Sequence, residues 1–358
     1  MFGYITRIYN DTIGIAGTHG QTTTTSMIAL CFIEASLDPT IQVGAILKEI
    51  NANYRVGNSP YFILEACEYV ESFLKFSPKS SVVLNIDNDH LDFFENFENI
   101  KIAFERYVNI LPHDGLLVIN GDDPHCLGLR NSTNAKVVTY GIDNVKANFI
   151  AKNISFDANG FPKFDVYHNN TYYSEIKLSI PGEHNVLNAL ACIALCSGYG
   201  ISKYDIKNAL VKFAGATRRF ELVGSINNIT VYDDYAHHPS EILATAMAMK
   251  NKTYRQSWVV FQPHTYSRTR LLLDDFAKAL TNFDNIIITD IYAARESDTH
   301  DVSSEDLIQK IKSLGKNAIL ISNFDSIADY IRQNACSNDL VLTIGAGNVV
   351  DIGKKILR

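Results

Sequence analysis

Short uninterrupted apolar runs alternate with longer amphipathic stretches through the first 140 residues. TIGIA (12–16), FILEA (62–66), SVVLNI (81–86), LLVIN (116–120) and KVVTYG (136–141) are rich in Val and Ile and carry no polar alternation. Such runs read as strands buried on both faces, and the helical pattern of ENIKIAFERYVNIL (98–111) between two of them points to a mostly parallel sheet. From about 148 to 180 apolar and polar residues alternate around Asn-Gly and Asn-Asn turns, which predicts an antiparallel meander. Helical patterns follow at 184–197 and in ISKYDIKNALVKFAG. After Ala216 the alternation resumes. ITVYDDY, SWVVFQPH, NIIITDIY, NAILIS and DLVLTIGAG read as strands, and EILATAMAMK, RTRLLLDDFAKAL, SEDLIQKIKSL, SIADYIRQNA and NVVDIGKKIL as helices. The expected fold class is α/β in two domains, 1–216 and 217–358, with five or six strands in the second.

Composition narrows the function. A length of 358 residues with 46% hydrophobic and 20% charged residues supports real cores. A net charge of −7 without a basic run argues against nucleic acid as a partner. No apolar stretch reaches the length of a membrane span, so membrane insertion is not expected. The six cysteines are scattered with no CxxC. They read as buried thiols of a reducing cytoplasm, not as metal or disulfide ligands.

Chemistry first shows at GIAGTHGQTTTTSMIALC (14–31). A strand, a turn with two glycines and a hydroxyl-rich helix start make a phosphate cradle, because helix N-terminal N–H groups attract anions and a Thr hydroxyl can ligate Mg²⁺. Capping by the threonines is the structural alternative. The strict P-loop pattern places Lys where this chain has Gln21, so a central charge is missing. FILEACEYVESFL (62–74) and VVLNIDNDHLDFF (82–94) place Glu65, then Asn85, Asp87, Asp89, His90 and Asp92, at strand ends, where they could hold a hard cation or serve as caps. His184, Asn185 and Asn188 share the face of a helix start and could read a base edge or cap that helix. ATRRFE (216–221) and DDYAHHP (233–239) gather arginines, acids and histidines near the junction. FQPHTYSRTR (261–270) and DIYAARE (290–296) add His264, Tyr266, Arg268, Tyr292, Arg295 and Glu296, a mixture suited to a small zwitterion.

Taken together, these segments resemble the Mur ligases, and most closely the alanine-adding branch of that family. AGTHGQTTTTSM is similar to the family loop AGTHGKTTTTSM. EAxE, NIxxDHxD, HNxxNAL, RRFE, DDYAHHP, FQPHTYSR and YAARE stand in family order over nearly the whole chain. The resemblance implies a P-loop-type central ATPase domain followed by a Rossmann-like C-terminal domain. It also implies a cytoplasmic, ATP- and Mg²⁺-dependent ligase of peptidoglycan precursor synthesis. UDP-N-acetylmuramate and L-alanine would be its substrates, joined through an acyl phosphate. A muropeptide ligase and a non-catalytic ATP-binding remnant are the alternatives.

Carried over by motif, Gly17, Thr18, His19, Gly20, Gln21, Thr22 and Thr23 would cradle the ATP phosphates, with Thr22, Glu65 and His90 at the metal. His184, Asn185 and Asn188 would lie near adenine and Asp234 at the ribose. Arg219 would reach the γ-phosphate across the junction. Tyr235, His237, His264, Arg268 and Tyr292 would line the side where amino acid and acyl phosphate meet. The family's N-terminal UDP-binding domain is expected to be absent here, in which case a separate chain carrying it would be a partner. Loss of the lysine predicts weak nucleotide binding.

Overall fold

The computed structural model describes residues 2–298 and 300–358, which divide into two compact units: 2–157 with 161–217, and 158–160 with 218–298 and 300–358. Unit one holds a ten-stranded sheet. Its strands are β1 (Asp11–Ala16), β2 (Thr40–Leu47), β3 (Ala52–Arg55), β4 (Tyr61–Glu65), β5 (Ser80–Val83), β6 (Leu116–Asn120), β7 (Lys136–Gly141), β8 (Phe149–Phe156), β9 (Pro162–His168) and β10 (Thr171–Lys177). Their spatial order is β10-β9-β8-β7-β6-β5-β1-β4-β2-β3. The six central pairings from β2 to β8 are those of a parallel sheet, and antiparallel pairs, β8–β9–β10 and β2–β3, finish its two edges. The expected meander is therefore continuous with the parallel sheet through β7–β8. Strands β2 and β3 form a further hairpin.

Burial explains the central strands. All four residues of β5 and all five of β6 are buried, as strands covered on both faces must be. One face carries helices α1 (Gln21–Glu34), α3 (Glu183–Gly198) and α4 (Lys203–Lys212), which meet Ile13, Ile15, Val82 and Val118 in the largest core. The other face carries α2 (Phe97–Asn109), whose Ile100, Phe104 and Tyr107 pack with Val83, Leu117 and Ile119. Helix α1 has no exposed face over most of its length: every residue from Thr22 to Phe32 is buried.

Strands β4, β1 and β5 are neighbours and parallel, so the loops after Glu65, Ala16 and Val83 leave the same edge of the sheet. In open α/β sheets this carboxyl edge is where ligands bind.

Unit two has a six-stranded sheet of β11 (Glu221–Ile226), β12 (Ile229–Asp234), β13 (Ser257–Phe261), β14 (Asn285–Ile288), β15 (Ala318–Leu320) and β16 (Leu340–Ile344), ordered β11-β12-β16-β13-β14-β15. Only β11 is antiparallel to its neighbour. Helices α5 (Pro239–Lys250), α6 (Tyr266–Leu271), α7 (Leu273–Leu280), α8 (Ser304–Ser313), α9 (Phe324–Asn334) and α10 (Val350–Ile356) connect them. The loops after Asp234, Phe261, Ile288 and Ile344 share one edge.

Candidate active site

In unit one the phosphate-type loop runs from β1 into α1. Gly17 has φ 137° and Gly20, at the N-cap of α1, has φ 86°. A Cβ on Gly17 would come within 2.9 Å of Leu84 Cβ, and one on Gly20 within 2.7 Å of Asn188 Oδ1, so glycine is required twice over, by conformation and by space. No side chain caps α1, which leaves the start of the helix to its own backbone N–H groups and their dipole.

The segment after β5 braces this loop. Asn85 accepts from the Thr18 N–H through its carbonyl (3.2 Å) and from the His19 N–H through Oδ1 (2.8 Å), and its amide donates to the His19 carbonyl (2.9 Å). The Asp87 N–H donates to Thr18 Oγ1 at 2.9 Å, and Asp87 Oδ2 lies 3.1 Å from His19 Nε2. Thr22 and Thr23 are buried in the first turn of α1. On α3, Asn185 donates to the Pro181 carbonyl (2.7 Å) and Asn188 donates to Asn185 Oδ1 (3.0 Å). This pair supports the loop at Gly20, whereas His184 is exposed on the same helix start.

Gln21 donates its amide to the Ala66 carbonyl (3.3 Å) and to Glu68 Oε2 (3.2 Å). Glu68 is 4% exposed, and its Oε1 lies 3.9 Å from His90 Nε2. Burial, helped by the neighbouring Asp89 charge, pushes the Glu68 carboxyl up to about 7 against the opposing pull of His19 and Gln21. Glu65, three residues earlier, accepts from the Gly44 N–H at 2.6 Å. The carboxylate in contact with both the loop's glutamine and His90 is therefore Glu68. The EAxE motif contained it, but a motif does not say which way each carboxylate turns. His90 adopts a left-handed conformation (φ 53°) and its ring lies tilted against Tyr69 with centroids 4.6 Å apart. The Asp92 side chain lies outside the described residues.

In unit two, Arg218 is fully engaged. It donates to Asp233 Oδ2 (2.9 Å), to the Gly347 carbonyl (3.1 Å) and to the Gly345 carbonyl (2.6 Å), and so ties β12 to the loop after β16. Arg219 lies over the Tyr235 ring at 5.4 Å, with its guanidinium 3.7 Å from Glu241. Asp234 accepts from Ala236 N–H (2.9 Å), Phe220 N–H (3.2 Å) and the Thr245 hydroxyl (2.9 Å). Burial pushes its carboxyl up to about 6, against the attraction of Arg219.

His237 contacts the Tyr235 carbonyl through Nδ1 at 3.0 Å, and its backbone N–H donates to Glu241. Its ring centroid is 5.4 Å from that of Tyr235 and 5.8 Å from that of His264. His264 stacks on Tyr292 at 5.7 Å and meets Arg268 Nη1 at 3.3 Å. Tyr235, His237, His264, Arg268 and Tyr292 thus form one connected cluster at the strand ends of unit two. Arg218, Glu241 and Glu296, which accepts from the Ser267 N–H at 2.9 Å, hold that cluster's framework. Glu241 stands four residues after His237, a spacing that could have marked it.

Comparison with known proteins fits this geometry. Residues 15–196 match the Mur ligase middle domain and residues 218–347 the Mur ligase glutamate ligase domain. The chain belongs to the Mur ligase family. Family relatives include the UDP-N-acetylmuramate–L-alanine ligases of Acetivibrio thermocellus, 47% identical over all of this chain and 76% of that protein, and of Caldanaerobacter subterraneus subsp. tengcongensis, 47% identical over all of this chain and 78% of that protein. The crystal structure of MurC from Thermotoga maritima superposes with a TM-score of 0.82 at 30% identity, covering 99% of this chain and 76% of that one. A murein peptide ligase from Psychrobacter arcticus shares the fold, with a TM-score of 0.70 at 24% identity over 98% of this chain and 77% of that one. Among the described residues of this Mur ligase, no helix is long and apolar enough to cross a membrane.

Proposed function

We propose that this Mur ligase joins L-alanine to UDP-N-acetylmuramate at the expense of ATP, in the cytoplasm. The observation that carries the reading is the connected cluster of Tyr235, His237, His264, Arg268 and Tyr292, in a chain 47% identical end to end to ligases of that name. The cluster offers a guanidinium for a carboxylate and imidazoles as proton acceptors, which suits a free amino acid.

In this reading the muramoyl carboxylate attacks the γ-phosphorus, ADP leaves, and an acyl phosphate forms. The alanine amine then attacks the acyl carbon, loses a proton to a neighbouring base, and phosphate departs from the tetrahedral intermediate. Gly17, Thr18, His19, Gly20, Gln21, Thr22 and Thr23 hold the phosphates. The glycine conformations and the uncapped helix start fit that ligand, and Gln21 brings no charge where the family loop has Lys. Thr22, Glu65 and His90, with Glu68 beside them, are oxygen and imidazole donors that suit Mg²⁺, which when bound would screen phosphate charge. His184, Asn185 and Asn188 are assigned to the adenine end, Asp234 to the ribose, and Arg219 to the γ-phosphate. His237 is placed to take the amine proton, and Arg268 to hold the carboxylate of the amino acid.

The test is phosphate release from Mg-ATP that requires both UDP-N-acetylmuramate and an acceptor, with L-alanine and the free tripeptide as rival acceptors. Release with L-alanine supports the reading, and release with the tripeptide alone replaces it by a muropeptide ligase. Gln21 favours one second reading, an ATP-binding protein without ligase activity. It would be established by calorimetric binding of Mg-ATP with no acceptor-dependent phosphate release.

A further inference from the structure

Helix α6 carries Arg268 but begins without a cap of its own. Its N-cap residue, Thr265, lies at φ 66° and ψ 146° and makes no side-chain bond to the helix start. A capping side chain works from an extended backbone at that position, where it accepts from N–H groups in the first turn. A β-branched residue at positive φ is an outlier, and it persists only where its surroundings over-determine it.

The loop after β14 supplies both the restraint and the cap. The Thr265 N–H donates to the Tyr292 carbonyl at 2.9 Å, and the Tyr292 N–H donates to the Pro263 carbonyl at 2.8 Å. These bonds hold Thr265 in its strained conformation. Glu296, further along the same loop, caps α6 from outside. One carboxylate oxygen accepts from the Ser267 N–H at 2.9 Å, and the other accepts from the Ser267 hydroxyl. Ser267 is the second residue of α6, a position that an N-cap side chain ordinarily serves. Burial opposes a charge on Glu296, but the Ser267 hydroxyl, the N–H groups of Ser267 and Tyr266, and the Arg268 guanidinium hold its carboxyl below the ordinary value.

Arg268 follows Ser267 directly, and its Nη1 lies 3.3 Å from His264 Nδ1. Glu296 thus fixes the turn from which the guanidinium is aimed. The loop has other anchors. A Cβ on Gly347 would come within 2.8 Å of the Tyr292 ring, whose centroid is 5.7 Å from that of His264. Truncating Glu296 therefore removes the cap while Tyr292 stays held, and the first turn of α6 loses its acceptor. Given the amino-acid role assigned to Arg268, on which this rests, we propose that Glu296 is a positioning residue of the amino-acid subsite, capping α6 so that Arg268 meets the carboxylate of the incoming amino acid. Recognition of that carboxylate, more than reaction of the amine, depends on Glu296.

Two measurements on the full chain test this. The first needs no substrate: the Arg268 Nε resonance in nitrogen NMR spectra, assigned by its loss in Arg268→Lys. Glu296→Ala should shift or broaden it, and Glu296→Gln, which keeps one oxygen acceptor, should move it less. The second compares L-alanine with L-alaninamide, which keeps the amine and lacks the carboxylate, in the phosphate-release assay. Glu296→Ala should lower kcat/KM for L-alanine by about tenfold more than for L-alaninamide, the size of a lost cap, and should do so through KM. Circular dichroism checks the fold, and if Glu296→Ala is not native, Glu296→Gln carries both measurements. An unmoved Arg268 resonance, or an equal loss with both acceptors, would overturn the role given to Glu296. Turnover of neither acceptor by the wild type would instead remove the ligase reading, and the resonance alone would then decide whether Glu296 orients Arg268.

Discussion

Replacing Gln21 by Lys tests the central irregularity of the nucleotide loop. The Gln21 amide is 3.2 Å from Glu68 Oε2 and 3.3 Å from the Ala66 carbonyl. An ammonium at that place would attract the Glu68 carboxylate by about 5 kcal/mol at an effective dielectric constant near 20, since 332/(20 × 3.2) ≈ 5. Desolvating the ammonium costs several kcal/mol, so the unliganded protein should gain little stability. The gain should appear with ligand. A charge-assisted hydrogen bond contributes about 1.5–3 kcal/mol, which is roughly a ten- to hundredfold lower Kd for Mg-ATP. A preorganised contact to charge developing in the transition state is worth about 2.7–4 kcal/mol, or roughly two to three orders of magnitude in rate. Calorimetry with Mg-ATP and a phosphate-release assay on the wild type, Gln21→Lys and Gln21→Met separate charge from length. If the lysine variant binds no tighter and turns over no faster than the methionine variant, position 21 does not have the assigned role.

Further outcomes follow from other sites. The Asp234 carboxyl is raised from 3.8 to about 6, so its favourable share of stability is complete below pH 4 and is lost as pH rises through about 6, by at most about 3 kcal/mol. Asp234→Asn stays neutral, so its stability relative to wild type in urea titrations should climb between pH 4 and 6 and then level off; parallel profiles would refute this. Gly14→Ala would drive a Cβ into the Tyr107 hydroxyl, which bonds Ser81 at 3.0 Å, and should cost about 1–3 kcal/mol by urea midpoint. Arg218→Met leaves Asp233, 1% exposed, without its cation and should cost about 3 kcal/mol in the same measurement; a neutral effect would show that Thr343 alone satisfies that carboxylate.

The parts of the fold legible in the sequence are those whose cause is local. Strands β1, β5 and β6 announced themselves because burial on both faces leaves no polar position to interrupt them. The loop at 17–20 was readable because its glycines answer a backbone requirement within four residues. Strand β3 was not, because Asn53, Tyr54 and Arg55 carry no burial pattern. What makes them a strand is pairing with β2, whose register shifts between Gln42 and Leu47. The roles of Glu65 and Glu68 could not be divided by spacing, since both stand at one strand end and only side-chain direction separates Gly44 from Gln21 as partners. The 3.5 Å approach of the Cys31 and Cys192 sulfurs had no sequence sign, because helix packing alone brings them together.

The near-complete burial of α1 bears on how the protein is made. Helix α1 is complete when Glu34 leaves the ribosome, but its packing partner α3 begins at Glu183. At elongation rates of about 5–20 residues per second the delay is roughly 7–30 seconds. Through that interval Met27, Ile28, Cys31 and Phe32 have no α3 to cover them, and Gly20 has no Asn188 against it. The phosphate loop is therefore finished late, by chain that emerges near the end of its unit.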